Sequence, residues 1–149
     1  MNISTTKIAI LIPKKIDFKK SLIRKIILKL VEELHFSIES INVSFVDKKE
    51  MVELNSHHLN HHFSTDILTF NYNGSNTALD GEIIISYYDA NENATRYQIT
   101  PQEEYLRLII HGILHLLGYD DQNKNDKIKM KRKETSLVKK LNYLILNKL

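Results

Sequence analysis

The interpretation of this chain depends on one stretch, Arg107-Leu-Ile-Ile-His111-Gly-Ile-Leu-His115-Leu-Leu-Gly118-Tyr-Asp120-Asp121. His111 and His115 are four residues apart, so on a helix they lie on the same face. The residues around them are almost all apolar, which predicts a buried helix. Gly118 is the residue type that commonly ends a helix in a left-handed conformation. The chain can then fold back and bring Asp120 or Asp121 towards the two histidines.

This spacing predicts a metal site. Two neutral imidazoles and a carboxylate around an open fourth position form a typical catalytic zinc arrangement. We therefore expect His111, His115 and Asp121 to hold one Zn²⁺ ion, although a single buried histidine is more often bonded to a carbonyl group. The metzincin peptidase motif H-E-x-x-H-x-x-G-x-x-H has the same skeleton. Gly112 stands where those peptidases have their general-base glutamate, which argues against a peptidase.

Length and composition predict one globular domain over residues 1–149, with 42% hydrophobic and 26% charged residues. The chain has no cysteine, so histidines and carboxylates must supply any metal ligands. No apolar run reaches the length of a membrane span, and the N-terminus lacks a signal-peptide pattern. We expect a cytoplasmic protein that has no membrane partner.

The charge is distributed unevenly along the chain. Seven basic residues and one acidic residue lie between Lys14 and Lys29, and eight basic and two acidic residues lie between Lys124 and Lys140. The intervening residues 30–123 contain four basic and fifteen acidic residues. Cationic segments of this kind can contact a phosphate backbone, although a general abundance of lysine is the alternative explanation.

Hydrophobic periodicity predicts an alternation of strands and helices. Asp17 is expected to cap the first helix, Asp47 and Glu50 to form a capping box for the second, and Thr100 to start the histidine helix. Turn residues 73–76 predict an antiparallel pair of strands. The predicted segments are strands at 7–12, 41–46, 66–72 and 81–88, and helices from 17 to 34, from 47 to 54, from 89 to 97, from 100 to 117 and from 123 onward.

A second group of histidines offers a rival metal site. The pairs His57 with His61 and His58 with His62 also have helical ligand spacing. Their segment is polar and has no apolar housing, so adventitious metal binding or contact with a substrate phosphate are the alternatives.

The motif from His111 to Asp121 resembles the H-G-x-L-H-L-x-G-Y-D-H signature of the YbeY family, the zinc-dependent endoribonucleases of bacterial ribosomal RNA maturation. Leu54-Asn55 with the segment Thr65-Asp-Ile-Leu-Thr-Phe70 is similar to the family's L-N and T-D-V-L-S-F elements. The segment Gly81-Glu-Ile-Ile-Ile-Ser86 is similar to its G-D-I-V-I-S strand. The similarity extends over roughly residues 40 to 121.

The resemblance implies an α+β fold in which a mixed sheet of about four strands and packed helices surround a central zinc-binding helix. It also implies hydrolysis of single-stranded RNA, maturation of the 3′ end of small-subunit rRNA, ribosome quality control, and the small ribosomal subunit as a partner.

Two positions depart from the family. Asp121 replaces the third histidine ligand, and its negative charge should make the metal a weaker Lewis acid. Leu59 replaces an arginine associated with RNA cleavage.

No residue of the motif is an obvious general base. Asp66 and Arg107 are candidates, but a structural Asp66 and an ion-paired Arg107 are the ordinary alternatives. A ribosome-assembly factor with a purely structural zinc is the main alternative function, and a metalloprotease is a more remote one.

Overall fold

The computed structural model describes residues 7–59 and 64–146, with side chains described for 7–57 and 64–146. Within these residues, no helix is both long enough and apolar enough to cross a bilayer. The elements, in chain order, are β1 (Ile8–Leu11), α1 (Lys20–Leu34), β2 (Ser37–Val46), α2 (Lys48–Leu59), β3 (Ile67–Asn71), β4 (Ala78–Ser86), α3 (Tyr87–Tyr97), α4 (Pro101–Leu116), α5 (Lys124–Leu141) and α6 (Tyr143–Leu146).

The four strands form one mixed sheet in the order β1-β2-β4-β3. β1, β2 and β4 are parallel to their neighbours, and β3 pairs antiparallel with β4, with Ile67 opposite Ile85. The antiparallel pair predicted from the turn residues is therefore confirmed. The α+β class and the mixed sheet of four strands are confirmed as well.

Helices cover both faces of the sheet. Ile83 and Ile85 of β4 belong to the main core, whereas Ile84, between them, packs with Met51 of α2 in a smaller cluster. This division follows from the alternation of side chains along a strand. Ile41 of β2 faces the main core, as its alternating pattern predicts.

The N-termini of the helices show which of the predicted capping residues make capping hydrogen bonds. Thr100 and Glu103 form the predicted capping box, in which the Glu103 amide donates to Thr100 Oγ1 at 3.1 Å. Asp47 Oδ1 accepts from the Glu50 amide at 2.8 Å. The prediction for Asp17 is wrong, because α1 begins at Lys20 and its N-cap makes no side-chain cap bond. Gln102 Nε2 of α4 donates to the Asp17 carbonyl at 3.1 Å and to Asp17 Oδ2 at 3.4 Å, so Asp17 makes a long-range contact.

The histidine helix α4 lies centrally among the other elements. It contacts β3 and β4 of the sheet and also α1, α3, α5 and α6. Its apolar side chains from Leu106 to Leu116 are almost fully buried in the main core. The face that carries the histidines is turned towards α5 and solvent.

Candidate functional site

The end of α4 is a Schellman turn built on Gly118. Gly118 has a φ of 100°, and its amide donates to the His115 carbonyl at 3.0 Å. The Tyr119 amide donates to the Leu114 carbonyl, also at 3.0 Å. This pair of bonds satisfies the last carbonyl groups of a helix and turns the chain back. The prediction that Gly118 ends the helix in a left-handed conformation is confirmed.

Gly112 allows α4 to approach the sheet closely. A Cβ atom at this position would lie 3.0 Å from Ile83 Cδ1 and 3.2 Å from Ile67 Cδ1. The glycine that stands in place of a catalytic glutamate therefore has a packing role, because it sets the distance between the histidine helix and the strands beneath it.

A cleft of about 480 Å³ lies between α4 and α5. His111 and Asp121 both line it, and Arg107, Lys127 and Lys131 contribute positive charge. Asp120 lies elsewhere: its Oδ1 accepts from the amides of residues 121 and 122 at 2.7 and 3.1 Å, and it lines a separate cleft. Of the two aspartates considered in the motif, Asp121 is thus the one that lines the same cleft as His111.

His115 does not line this cleft and is exposed near the end of α4. The helix is buried as predicted, but the side chain of His115 is an exception to this prediction. Within residues 7–57 and 64–146, no three histidine, aspartate or glutamate side chains are already grouped closely enough to hold a metal ion. Zinc binding by His111, His115 and Asp121 stays a prediction.

His111 has a buried carboxylate as its partner. Its Nδ1 atom lies 2.7 Å from Oε1 of Glu134 on α5, and the Glu134 side chain is only 3% exposed. Burial opposes ionisation of Glu134, but the hydrogen bond from His111 and the charge of Arg107 outweigh it and lower the pKa of Glu134 to about 2. Glu134 is therefore an acceptor in the neutral pH range.

Arg107 is held in an extensive set of ion pairs. Its Nε and Nη2 atoms donate to the two oxygens of Glu104 at 2.8 and 2.6 Å, and Nη1 donates to Glu134 at 3.3 Å. Glu104 is fully buried and also accepts from Asn93 Nδ2 at 3.0 Å. The hydrogen bonds with Glu104 outweigh the effect of burial and raise the pKa of Arg107.

The two catalytic candidates are thus joined in one network. Asp66 accepts from Asn93 Nδ2 at 3.1 Å and lies 3.8 Å from Arg107 Nη2. The Asp66 side chain is 31% exposed and accepts from a side-chain amide, so it is not a fully buried structural residue. Arg107 is ion-paired, as its alternative explanation states, and its guanidinium group stabilises the fold around the histidine.

Glu134 and Glu104 were missed by sequence reasoning. Both carried a usable signal, because each is a charged residue on an otherwise apolar helical stripe. Glu134 follows Met130 by four residues and precedes Leu137 by three, and all three are buried. A carboxylate at such a position must find a partner or incur a large desolvation cost.

The rival histidine group lies largely outside the described residues. The side chains of His58, His61 and His62 fall there, and so does the side chain of Leu59. His57, the described member of the group, is exposed on α2.

The residues present suit zinc in their chemistry. Imidazole nitrogen and carboxylate oxygen are both zinc ligands, at about 2.0–2.2 Å. Ligating histidines commonly donate their other ring N–H to a carboxylate. Glu134 offers His111 such a partner. Asp121 is exposed and follows the Schellman turn, beside the cleft that His111 lines.

Comparison with known proteins matches this architecture to one family. Residues 7–142 match the family model described as endoribonuclease YbeY. An endoribonuclease YbeY from Chlorobium limicola is 35% identical over 118 residues, 79% of this chain and 81% of the relative. A Buchnera aphidicola relative of the same name is 34% identical over 135 residues, 89% of this chain and 82% of the relative.

A solved structure has the same fold. The solution structure of a Thermotoga maritima protein superposes with a TM-score of 0.64 and 29% identity, covering 95% of this chain and 93% of that one. The family model spans nearly all of the described residues, including α4 and α5. The chain therefore belongs to the endoribonuclease YbeY family.

Proposed function

We propose that this protein is a zinc-dependent endoribonuclease that cuts single-stranded RNA. We further propose that it acts at the 3′ end of small-subunit rRNA and in ribosome quality control, with the small ribosomal subunit as its partner. Membership of the family supports nuclease activity, since the curated relatives carry that name. The observation that carries the proposal is the cleft that Asp121 and His111 both line, with His111 hydrogen-bonded to Glu134.

His111, His115 and Asp121 would hold the ion. Bound zinc supplies Lewis-acid stabilisation of the negative charge that develops at phosphorus. Lys127 and Lys131 line the same cleft, where they can attract the phosphate groups of an RNA strand. Arg107 instead stabilises the fold around His111, because its guanidinium group is ion-paired with Glu104 and Glu134.

Metal analysis tests the ligand set. Purified wild-type protein should contain one zinc per chain, and His115→Ala and Asp121→Ala should each lose most of it. His35→Asn is a suitable control, because it removes an exposed histidine at the end of α1, and asparagine tolerates the left-handed φ of 56° found there. If the His115 and Asp121 variants kept stoichiometric zinc, the ligand assignment would be wrong.

Cleavage of a labelled single-stranded RNA tests the activity. The zinc-loaded wild type should cut it, and His111→Ala should not. Equal cleavage by both proteins would indicate a contaminating nuclease. No cleavage by either would favour the assembly factor with a structural zinc, which the loss of arginine at position 59 also favours.

A further inference from the structure

The two oxygens of Glu134 contact different groups. Oε1 contacts only His111, at 2.7 Å from Nδ1, among the contacts described for this carboxylate. Oε2 accepts from Arg107 Nη1 at 3.3 Å and from Lys131 Nζ at 3.2 Å. The two cations thus balance the buried charge on one side, and the other side is directed at the imidazole.

This arrangement determines which nitrogen of His111 carries the proton. An ionised carboxylate can only accept a hydrogen bond, so the hydrogen of the neutral ring must sit on Nδ1. The lone pair is then on Nε2. His111 is partly exposed to the cleft, with 26% of its side chain accessible, whereas Glu134 is 3% exposed. Both residues line the cleft, but the carboxylate of Glu134 is far less exposed to it than the imidazole is.

We infer that Glu134 is a positioning residue that holds His111 as the Nδ1–H tautomer and presents Nε2 to the cleft as a metal ligand. The inference extends the proposed function, because its second half assumes that His111 binds the ion. Its first half concerns the tautomer alone and can be measured in metal-free protein. Carboxylates in this position raise the basicity of a ligating histidine and fix its ring orientation.

The tautomer is tested by nitrogen NMR of the metal-free wild type, with the pH raised until the His111 signals are those of a neutral ring. We expect a pyrrole-like shift for Nδ1 of His111 and a pyridine-like shift for Nε2. In Glu134→Leu, which removes the acceptor, the two shifts should average towards a mixture of tautomers. A wild-type spectrum with the proton on Nε2 would overturn the inference, whether or not the protein proves to be a nuclease.

Zinc affinity, measured by competition with a chelator, tests whether Glu134 positions His111 as a metal ligand. Glu134→Leu should bind zinc about 10- to 100-fold more weakly than wild type, since loss of such a partner has this effect in other zinc sites. Glu134→Gln keeps an acceptor oxygen and should recover part of the loss, and it also serves if the leucine variant does not fold. An unchanged affinity in both variants would refute the positioning role.

Glu33→Gln is the matched control. Glu33 on α1 accepts from Lys140 of α5 at 2.8 Å, so it too ties α5 to another helix, but it does not line the cleft. Its zinc affinity should equal that of wild type. A loss as large as that of Glu134→Leu would show that affinity follows the docking of α5 in general, and the specific role of Glu134 would be rejected.

Discussion

Replacing Arg107 by methionine should strongly destabilise the protein. Methionine keeps much of the length of the side chain but removes the cation that contacts Glu104 at 2.6 and 2.8 Å. Glu104 is fully buried and, among the residues that the structure describes, would keep its contact with Asn93 alone. Removal of one partner of a buried pair typically costs about 3–5 kcal/mol, because the remaining charge is uncompensated. Arg107 is itself 22% exposed, so water can screen part of the loss, and we expect about 3 kcal/mol.

Equilibrium unfolding in urea measures this free energy by linear extrapolation. Far-ultraviolet circular dichroism is the appropriate signal, because the chain contains no tryptophan. The double variant Glu104→Gln with Arg107→Met removes the stranded charge, so it should be more stable than Arg107→Met alone. A coupling of about 0.5–3 kcal/mol is typical of residues in such contact.

The exposed pair of Lys29 and Glu32 provides the control. These residues are 37% and 69% exposed and lie 3.5 Å apart, so Lys29→Met should cost less than about 1 kcal/mol. If Arg107→Met were no more harmful than Lys29→Met, the buried network around Glu104 would contribute nothing measurable. The structural role assigned to Arg107 would then be refuted.

Two other predictions concern the sheet. Gly81→Ala should destabilise the fold by about 1–3 kcal/mol, because the new Cβ would lie 2.7 Å from the Phe70 carbonyl oxygen; urea unfolding within about 0.5 kcal/mol of wild type would contradict this. The hydrogen bond that Tyr72 donates to Glu82 at 2.6 Å raises the pKa of Tyr72 to about 12. The hydrogen bond therefore contributes its full stabilisation of the folded state below about pH 10. This stabilisation is lost as the pH rises to about 12. Glu82→Gln should move the corresponding step in tyrosinate absorbance to lower pH, and an unmoved step would show that Glu82 is not the cause.

Patterns with strong local causes were predictable from the sequence. The capping box at Thr100, the turn at Gly118 and the apolar alternation around Ile41 each depend on a few neighbouring residues. The start of α1 was not predictable in this way. There, Asp17 accepts a hydrogen bond from Gln102, which is 85 residues away in sequence.

The site was predictable in part. Spacing identified His111 and Asp121, and the structure brings both to one cleft. The partner of His111 was missed because Glu134 lies 23 residues further along, on a helix whose charge suggested only a solvated cationic face. A count of charges along the chain does not distinguish one carboxylate among many lysines. The position of Glu134 on the apolar stripe of α5 does distinguish it.

The location of Glu134 on α5 has a consequence for the order of assembly during translation. Synthesis proceeds from the N-terminus, and the earlier parts of a chain can begin to fold first. A nascent chain that has emerged only as far as α4 contains the whole sheet and both motif histidines, but it lacks the carboxylate that contacts His111. Orientation of that imidazole must await the docking of α5, which also buries Met130 and Leu137 in the main core. The histidine therefore acquires its described geometry only when the C-terminal helical region has left the ribosome and packed.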